Sequence, residues 1–201
     1  MSEYVKFTYE RARDEFVPFD EFAELNECRR KLLELQLIGV SSNGVSFGNL
    51  SMRDGVTNNF YVTGSASGAL SELTLADCAK VVAYDFERNW VRYEGAAIPS
   101  SESLTHAAVY QSDSSAHGII HCHDSRLWLT LLDRVPTTKA AEYGTPQMAC
   151  EIIRLFQTGE VHRRKVLVMA GHEGGIVTFG RDLEDAFAVL MQERKETTQL
   201  R

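Results

Sequence analysis

Short apolar runs alternate with stripes of helical period along nearly the whole chain, and no other feature of the sequence constrains its fold as much. Continuous or period-two apolar runs predict strands at residues 45–52, 60–62, 81–86, 90–93, 118–123, 166–169 and 176–179. Apolar residues three and four apart predict helices at residues 20–36, 101–111 and 125–132. A further helix opens at Pro146, a favoured first helical residue behind Thr145 as cap. Asp20 caps the first helix, whose stripe comprises Phe22, Leu25, Leu32, Leu33 and Leu35, and Gly39 stops it. Residues 75–80 are expected as a helical turn, and Asp182 caps a last helix running to Arg194. The strands at 81–86 and 90–93 make a hairpin around Glu87, Arg88 and Asn89. This order implies an α/β fold with a mixed or mainly antiparallel sheet covered by helices. With 201 residues, 44% of them hydrophobic and 24% charged, the chain has the composition of one globular domain and not of a disordered or coiled-coil protein. Residues 1–17 are expected as a polar N-terminal arm and residues 18–201 as the single domain.

Charge and cysteine usage narrow the partners. The formal net charge of -7 repels a phosphate backbone, so nucleic acid is not an expected partner. No apolar run reaches the roughly 18 residues of a membrane span, and the first residues lack the apolar segment of a signal peptide. Cys28, Cys78, Cys122 and Cys150 stand far apart, with no CxxC, and are expected as free thiols of a cytoplasmic protein.

The histidines carry the chemistry. His121 and His123 end the apolar run Gly-Ile-Ile-His-Cys-His. Side chains alternate across a strand, so the two imidazoles face one side and can converge on a cation at about 2.0–2.1 Å. Cys122, between them, faces the opposite, buried side. The alternative is a pair of histidines hydrogen-bonded at a strand end. His172, in Met-Ala-Gly-His-Glu-Gly-Gly, follows another apolar strand, and its glycines permit the close approach a third ligand needs. Three histidines with an open fourth position describe a catalytic zinc-type site. His162 is expected in a solvated polar loop, and His117 precedes the strand without a clear role. Glu102 and His106 are one helical turn apart and share a face. Glu102 is either a first-turn charge kept ionised by the helix dipole or a carboxylate aimed at the metal. Ser100 and Ser101 before it are either ordinary caps or donors to an anion.

Five motifs occur in order: Ser-Phe-Gly-Asn-Leu-Ser-Met-Arg from Ser46, Val-Thr-Gly-Ser-Ala-Ser-Gly from Val62, Pro-Ser-Ser-Glu from Pro99, His-Cys-His from His121, and Gly-His ending at His172. Together, over residues 22–192, they resemble the class II aldolase/adducin family. The resemblance implies a three-layer α/β/α fold around a central, mostly antiparallel sheet, assembled as a homotetramer. It implies that His121, His123 and His172 hold a divalent metal, usually zinc (Zn2+), and that Glu102 is the catalytic acid/base. It assigns Gly48, Asn49, Thr63, Ser100 and Ser101 to the substrate phosphate. Glutamate after two serines is the family's aldolase and dehydratase pattern, whereas the sugar-phosphate 4-epimerases tend to have aspartate there. The chain departs from the family in the loop Thr63-Gly64-Ser65-Ala66-Ser67-Gly68, where aldolases usually show Thr-Pro-Ser/Thr-Gly. It is also shorter after Pro136, where Tyr143 is the only nearby tyrosine. Arg126 and Lys139 are further cationic candidates for a substrate anion, or plain surface charges.

A metal on three histidines would accept a hydroxyl and a carbonyl of a small-molecule substrate and stabilise an enediolate. The expected activity is that of a metal-dependent lyase that cleaves or forms a C–C bond in a hydroxy-carbonyl compound. A dehydratase or epimerase on the same site is the alternative. A non-enzymatic, adducin-like assembly module is a third reading, against which the retained His121, His123, His172 and Glu102 argue.

Overall fold

In the computed structural model, which describes residues 5–199, the chain runs β1 (Thr8–Arg13), α1 (Phe22–Glu34), β2 (Gly39–Val40), β3 (Ser46–Phe47), β4 (Asn49–Arg53), β5 (Phe60–Thr63), β6 (Cys78–Asp85), β7 (Trp90–Glu94), α2 (Ser103–Ser112), β8 (Gly118–His123), α3 (Ser125–Leu131), α4 (Pro146–Gln157), α5 (Glu160–Arg164), β9 (Val166–Val168), β10 (Gly175–Gly180) and α6 (Leu183–Gln199). Eight strands form one sheet in the order β1-β7-β6-β5-β4-β8-β10-β9, and β2 pairs with β3 separately. Within the large sheet only β1 and β7 are parallel.

Two cores sandwich this sheet, one under each helical layer. Leu104, Ala107 and Val109 of α2 and Met148, Ile152 and Phe156 of α4 pack with Val62, Val81, Ile119 and Val177. On the other face Leu25 and Leu32 of α1, Leu127 of α3 and Leu190 of α6 pack with Leu50, Ile120, Cys122 and Ile176. The chain thus has the expected three-layer α/β/α architecture. The alternation of Ile119 and Ile120 between the cores places His121 on the α2 side and Cys122 on the α1 side. Among the described residues no helix is long and apolar enough to cross a membrane.

Several boundaries differ from the sequence expectation. Residues 8–13, inside the expected arm, form β1, which pairs with β7, and Phe7 beside it is buried. An edge strand is held by backbone pairing on one side, so the polar run Thr-Tyr-Glu-Arg-Ala-Arg needs no apolar alternation. The first four residues and the last two lie outside the described residues. The single strand expected at 45–52 is broken at Gly48, whose φ of 76° suits glycine and where a Cβ would lie 2.4 Å from the Ile38 side chain. Its first part pairs with β2 and its second with β5 and β8. Asp20 does not cap α1: Glu21 precedes the helix without a side-chain cap. The helix ends at Glu34, and Gln36, not Gly39, takes the left-handed turn, with φ 57°. The turn at 75–80 shortens to Leu75–Asp77, closed by reciprocal bonds between Thr74 and Asp77, and β6 starts at Cys78. Helix α2 begins at Ser103, so Glu102 stands at its N-cap and not in its first turn. His162 lies on the short helix α5 and not in a loop, and α6 runs past Arg194.

Candidate active site

β8 and β10 run antiparallel with His121 opposite Val177 and His123 opposite Gly175. The turn between β9 and β10 carries His172 back over them. Its N–H donates to the Met169 carbonyl (3.1 Å), and its own carbonyl accepts the Gly175 N–H (2.8 Å). A Cβ on Gly175 would lie 2.6 Å from the His172 ring, so glycine makes room for the imidazole. His123 Nε2 then stands 3.2 Å from His121 Nε2 and 2.9 Å from His172 Nε2. Tetrahedral ligands at 2.0–2.1 Å from one ion are about 3.3 Å apart, so the triad fits a single small cation. His121 Nδ1–H donates to the Ile176 carbonyl (3.3 Å), which leaves Nε2 bare toward the centre.

Burial keeps these rings neutral, as metal ligation requires. Desolvation pushes His121 well below its usual range, assisted by the neighbouring histidines. It brings His123 to about 4 and, with the charges of His123 and Lys6, His172 to about 3.

Glu102 faces the same cleft, of about 280 Å³. The residue is 3% exposed. Thr105 donates to Oε2 at 2.6 Å, and Oε1 is buried without a partner. Desolvation raises it to about 7, against the opposing effects of Thr105 and the Lys6 charge. Burial therefore overrides the helix dipole that was expected to keep it ionised. A carboxyl balanced near neutrality can both give and take a proton.

Gly48, Asn49, Ser100 and Ser101 line the cleft, together with the loop from Gly64 to Gly68. Asn49 stands opposite His121 in the sheet, and its Oδ1 is buried and unpartnered. Thr63 does not reach the cleft: it is buried behind the loop, where its hydroxyl accepts the Leu50 N–H (3.3 Å). His106 also turns away. Its Nδ1 lies 2.6 Å from Ser51 Oγ, and burial lowers it to about 3. His162 pairs with Asp113 (3.0 Å). Neither Arg126 nor Lys139 lines the cleft.

Two residues enter that the sequence did not assign. The Tyr143 ring lies 4.5 Å from that of His172 and lines the cleft. Lys6 lies over it, Nζ 3.4 Å from the ring centroid and 2.5 Å from Glu142 Oε1. No local signal marks Lys6, because β1 alone carries it there.

The profile of the family described as Class II Aldolase and Adducin N-terminal domain matches residues 27–194. The chain belongs to the class II aldolase and adducin family. Its fold is similar to that of a solved L-fuculose 1-phosphate aldolase (TM-score 0.70, 24% identity, 92% of this chain and 85% of the other). It is also similar to YgbL from Klebsiella pneumoniae, for which aldolase, epimerase and decarboxylase activities are all named (TM-score 0.68, 21% identity, 89% and 86%). A sugar-phosphate aldolase from Thermotoga maritima matches at TM-score 0.67 and 13% identity over 90% and 93%. At these identities the likenesses speak to the fold alone. No curated protein matches the sequence. In this member of the class II aldolase and adducin family, the histidine triad and Glu102 share one cleft.

Proposed function

We propose that this chain is a metal-dependent lyase that cleaves or forms a C–C bond in a small hydroxy-carbonyl compound, a sugar phosphate in the first instance. The observation that carries this is the convergence of three neutral imidazoles on a cleft shared with a buried carboxyl poised near neutrality. His121, His123 and His172 would hold the ion, and an all-nitrogen tridentate set suits zinc. Such an ion, when bound, polarises a carbonyl and stabilises an enediolate.

The chain's own residues do the rest. Thr105 fixes one carboxyl oxygen of Glu102, which leaves Oε1 to move the proton. In cleavage Glu102 delivers a proton to the carbon left as a carbanion, and in synthesis it removes that proton. Gly48, Asn49, Ser100, Ser101 and the Gly64–Gly68 loop offer N–H and hydroxyl donors to an anionic end of the substrate. Thr63 supports them from behind by bonding the backbone next to Asn49. Phe47 packs beside His123 and Tyr143 beside His172.

The same carboxyl also suits proton abstraction followed by loss of water, so a dehydratase or epimerase stands as the second reading. The family resemblance supports a homotetramer, and the unpaired Cys28, Cys78, Cys122 and Cys150 suit a reducing cytoplasm. The test is a panel of ketose phosphates and free hydroxy-ketones incubated with zinc-loaded protein and assayed for aldehyde release. Release that disappears in His123→Ala and Glu102→Gln supports the lyase. Dehydrated product without C–C cleavage transfers support to the second reading, and no turnover at full metal loading overturns both.

A further inference from the structure

Helix α1 carries three consecutive cations that are treated differently. Arg30 pairs with Glu27 and Glu34, and Lys31 with Glu27, on the exposed face. Arg29 turns inward beside Leu25, Cys28 and Leu32 and is 2% exposed. Its Nη2 donates to the Ser67 carbonyl at 2.7 Å, while Nη1 is buried with no partner. Asp77, the acid whose charge reaches it, has its carboxylate bonded to the Thr74 N–H and hydroxyl. A guanidinium cannot shed its proton. The buried guanidinium therefore has one hydrogen-bond partner and, as its answering acid, only the charge of Asp77, which is bonded elsewhere, an arrangement that is unfavourable unless something further answers the charge.

What lies on the far side of Ser67 is the cleft. Ser67 and Gly68 both line it, and the Ser67 carbonyl and Gly68 N–H belong to one peptide. Donation to that carbonyl polarises the peptide and strengthens its N–H toward an anion. The loop is fixed in place, since a Cβ on Gly68 would meet the Gly39 carbonyl oxygen at 2.1 Å. Among the described residues no lysine or arginine lines the cleft, and its one acidic group is Glu102.

We propose that Arg29 is the buried counter-charge of the cleft, acting through the Ser67–Gly68 peptide to select substrates whose anionic group is a phosphate. This rests on the reading that the serine-rich end of the cleft takes the substrate anion. Arg29 does not touch that anion; it is a positioning and specificity residue. Its alternative is a simple pin that ties the loop to α1.

The two roles separate by experiment without any substrate. Inorganic phosphate affinity and thermal unfolding are measured at constant ionic strength on the full chain, zinc-loaded and chelator-treated, so that direct ligation of phosphate by zinc is the part that needs the metal. Arg29→Met, Arg29→Gln and Arg29→Lys are compared with Arg30→Met as the surface control. The counter-charge role predicts that the chelator-treated wild type binds phosphate and that the neutral variants bind it about tenfold or more weakly. It predicts that they unfold no earlier than the wild type without phosphate, and that Arg29→Lys retains most of the affinity. Neutral variants that unfold earlier yet bind phosphate within twofold of the wild type would identify a pin and overturn the proposal. A wild type that binds no phosphate overturns it too. The lyase reading would survive that result if zinc-dependent cleavage of an unphosphorylated hydroxy-ketone is seen.

Discussion

Replacing Glu102 by glutamine tests the burial of its carboxyl directly and needs no substrate. In the folded chain desolvation lifts this carboxyl from about 4.5 to about 7. Below about pH 4.5 it is protonated in folded and unfolded chains alike, and ionisation costs neither anything. Between 4.5 and 7 the unfolded chain releases the proton while the folded chain keeps it, so the wild type loses stability as pH rises. Above 7 the loss is complete and amounts to about 3 kcal/mol. Glutamine keeps the shape and the Thr105 contact but has no proton to lose. The difference in unfolding free energy, Glu102→Gln minus wild type, therefore rises by about 3 kcal/mol between pH 4.5 and 8 in metal-free protein. The buried histidines titrate in both proteins and cancel in the difference. Urea unfolding of the two proteins across this range, after chelation, reads the quantity. A difference that does not change with pH would refute the claim that the carboxyl is held protonated by burial. A bound dication favours the ionised form, so zinc loading should shrink the rise. Turnover of a confirmed substrate should fall by roughly 10²–10⁴-fold in the same variant.

His123→Ala removes the imidazole that stands between the other two, and elemental analysis should find its metal content reduced from one ion per chain to a small fraction. Gly175→Ala pushes a methyl into the His172 ring, so zinc affinity measured by chelator competition should drop by about tenfold or more while circular dichroism stays native. Lys6→Met removes a charge that holds Glu102 down, so the midpoint of the pH-dependent stability difference described above should move upward, and an unmoved midpoint would place Lys6 outside the site. Sedimentation at micromolar concentration should show a tetramer, and a monomer would contradict the assembly inferred from the family resemblance.

Where a local pattern and its tertiary setting agree, the sequence was legible. The run ending in His121 and His123 is strand β8 residue for residue, and Thr145 caps the helix opened by Pro146 through its hydroxyl. His172 could be foreseen because glycines on both sides of a strand-end histidine have few other uses. Illegible features are those whose cause lies elsewhere in the chain. Nothing in Thr8–Arg13 announces a strand, because β7 supplies the reason for it. Of the stripe on α1, Leu25 and Leu32 are buried and Phe22 and Leu33 pack partly against the core, but Leu35 is exposed and Cys28 and Arg29 complete the inward face, since a buried arginine is invisible to an apolar periodicity. Thr63 matched a phosphate motif, but it is buried outside the cleft lining and its hydroxyl accepts the Leu50 N–H, a placement that only the packed sheet decides. The state of Glu102 depends on burial from several elements, which outweighs a helix terminus that sequence can see.

The pairing of Asn49 with His121 and of His123 with Gly175 also has a kinetic meaning. Strands β5, β6 and β7 follow one another closely and can pair as soon as they are made. β8 must instead find β4 across that whole meander and α2, and β10 must find β8 across α3, α4, α5 and β9, so the entropy of two long loops is lost before those contacts repay it. The three imidazoles meet only at this last seam. A metal held by the triad would thus be a ligand of the finished chain: it would offer nothing to the early meander, draw late intermediates forward by mass action, and count the molecules that have closed.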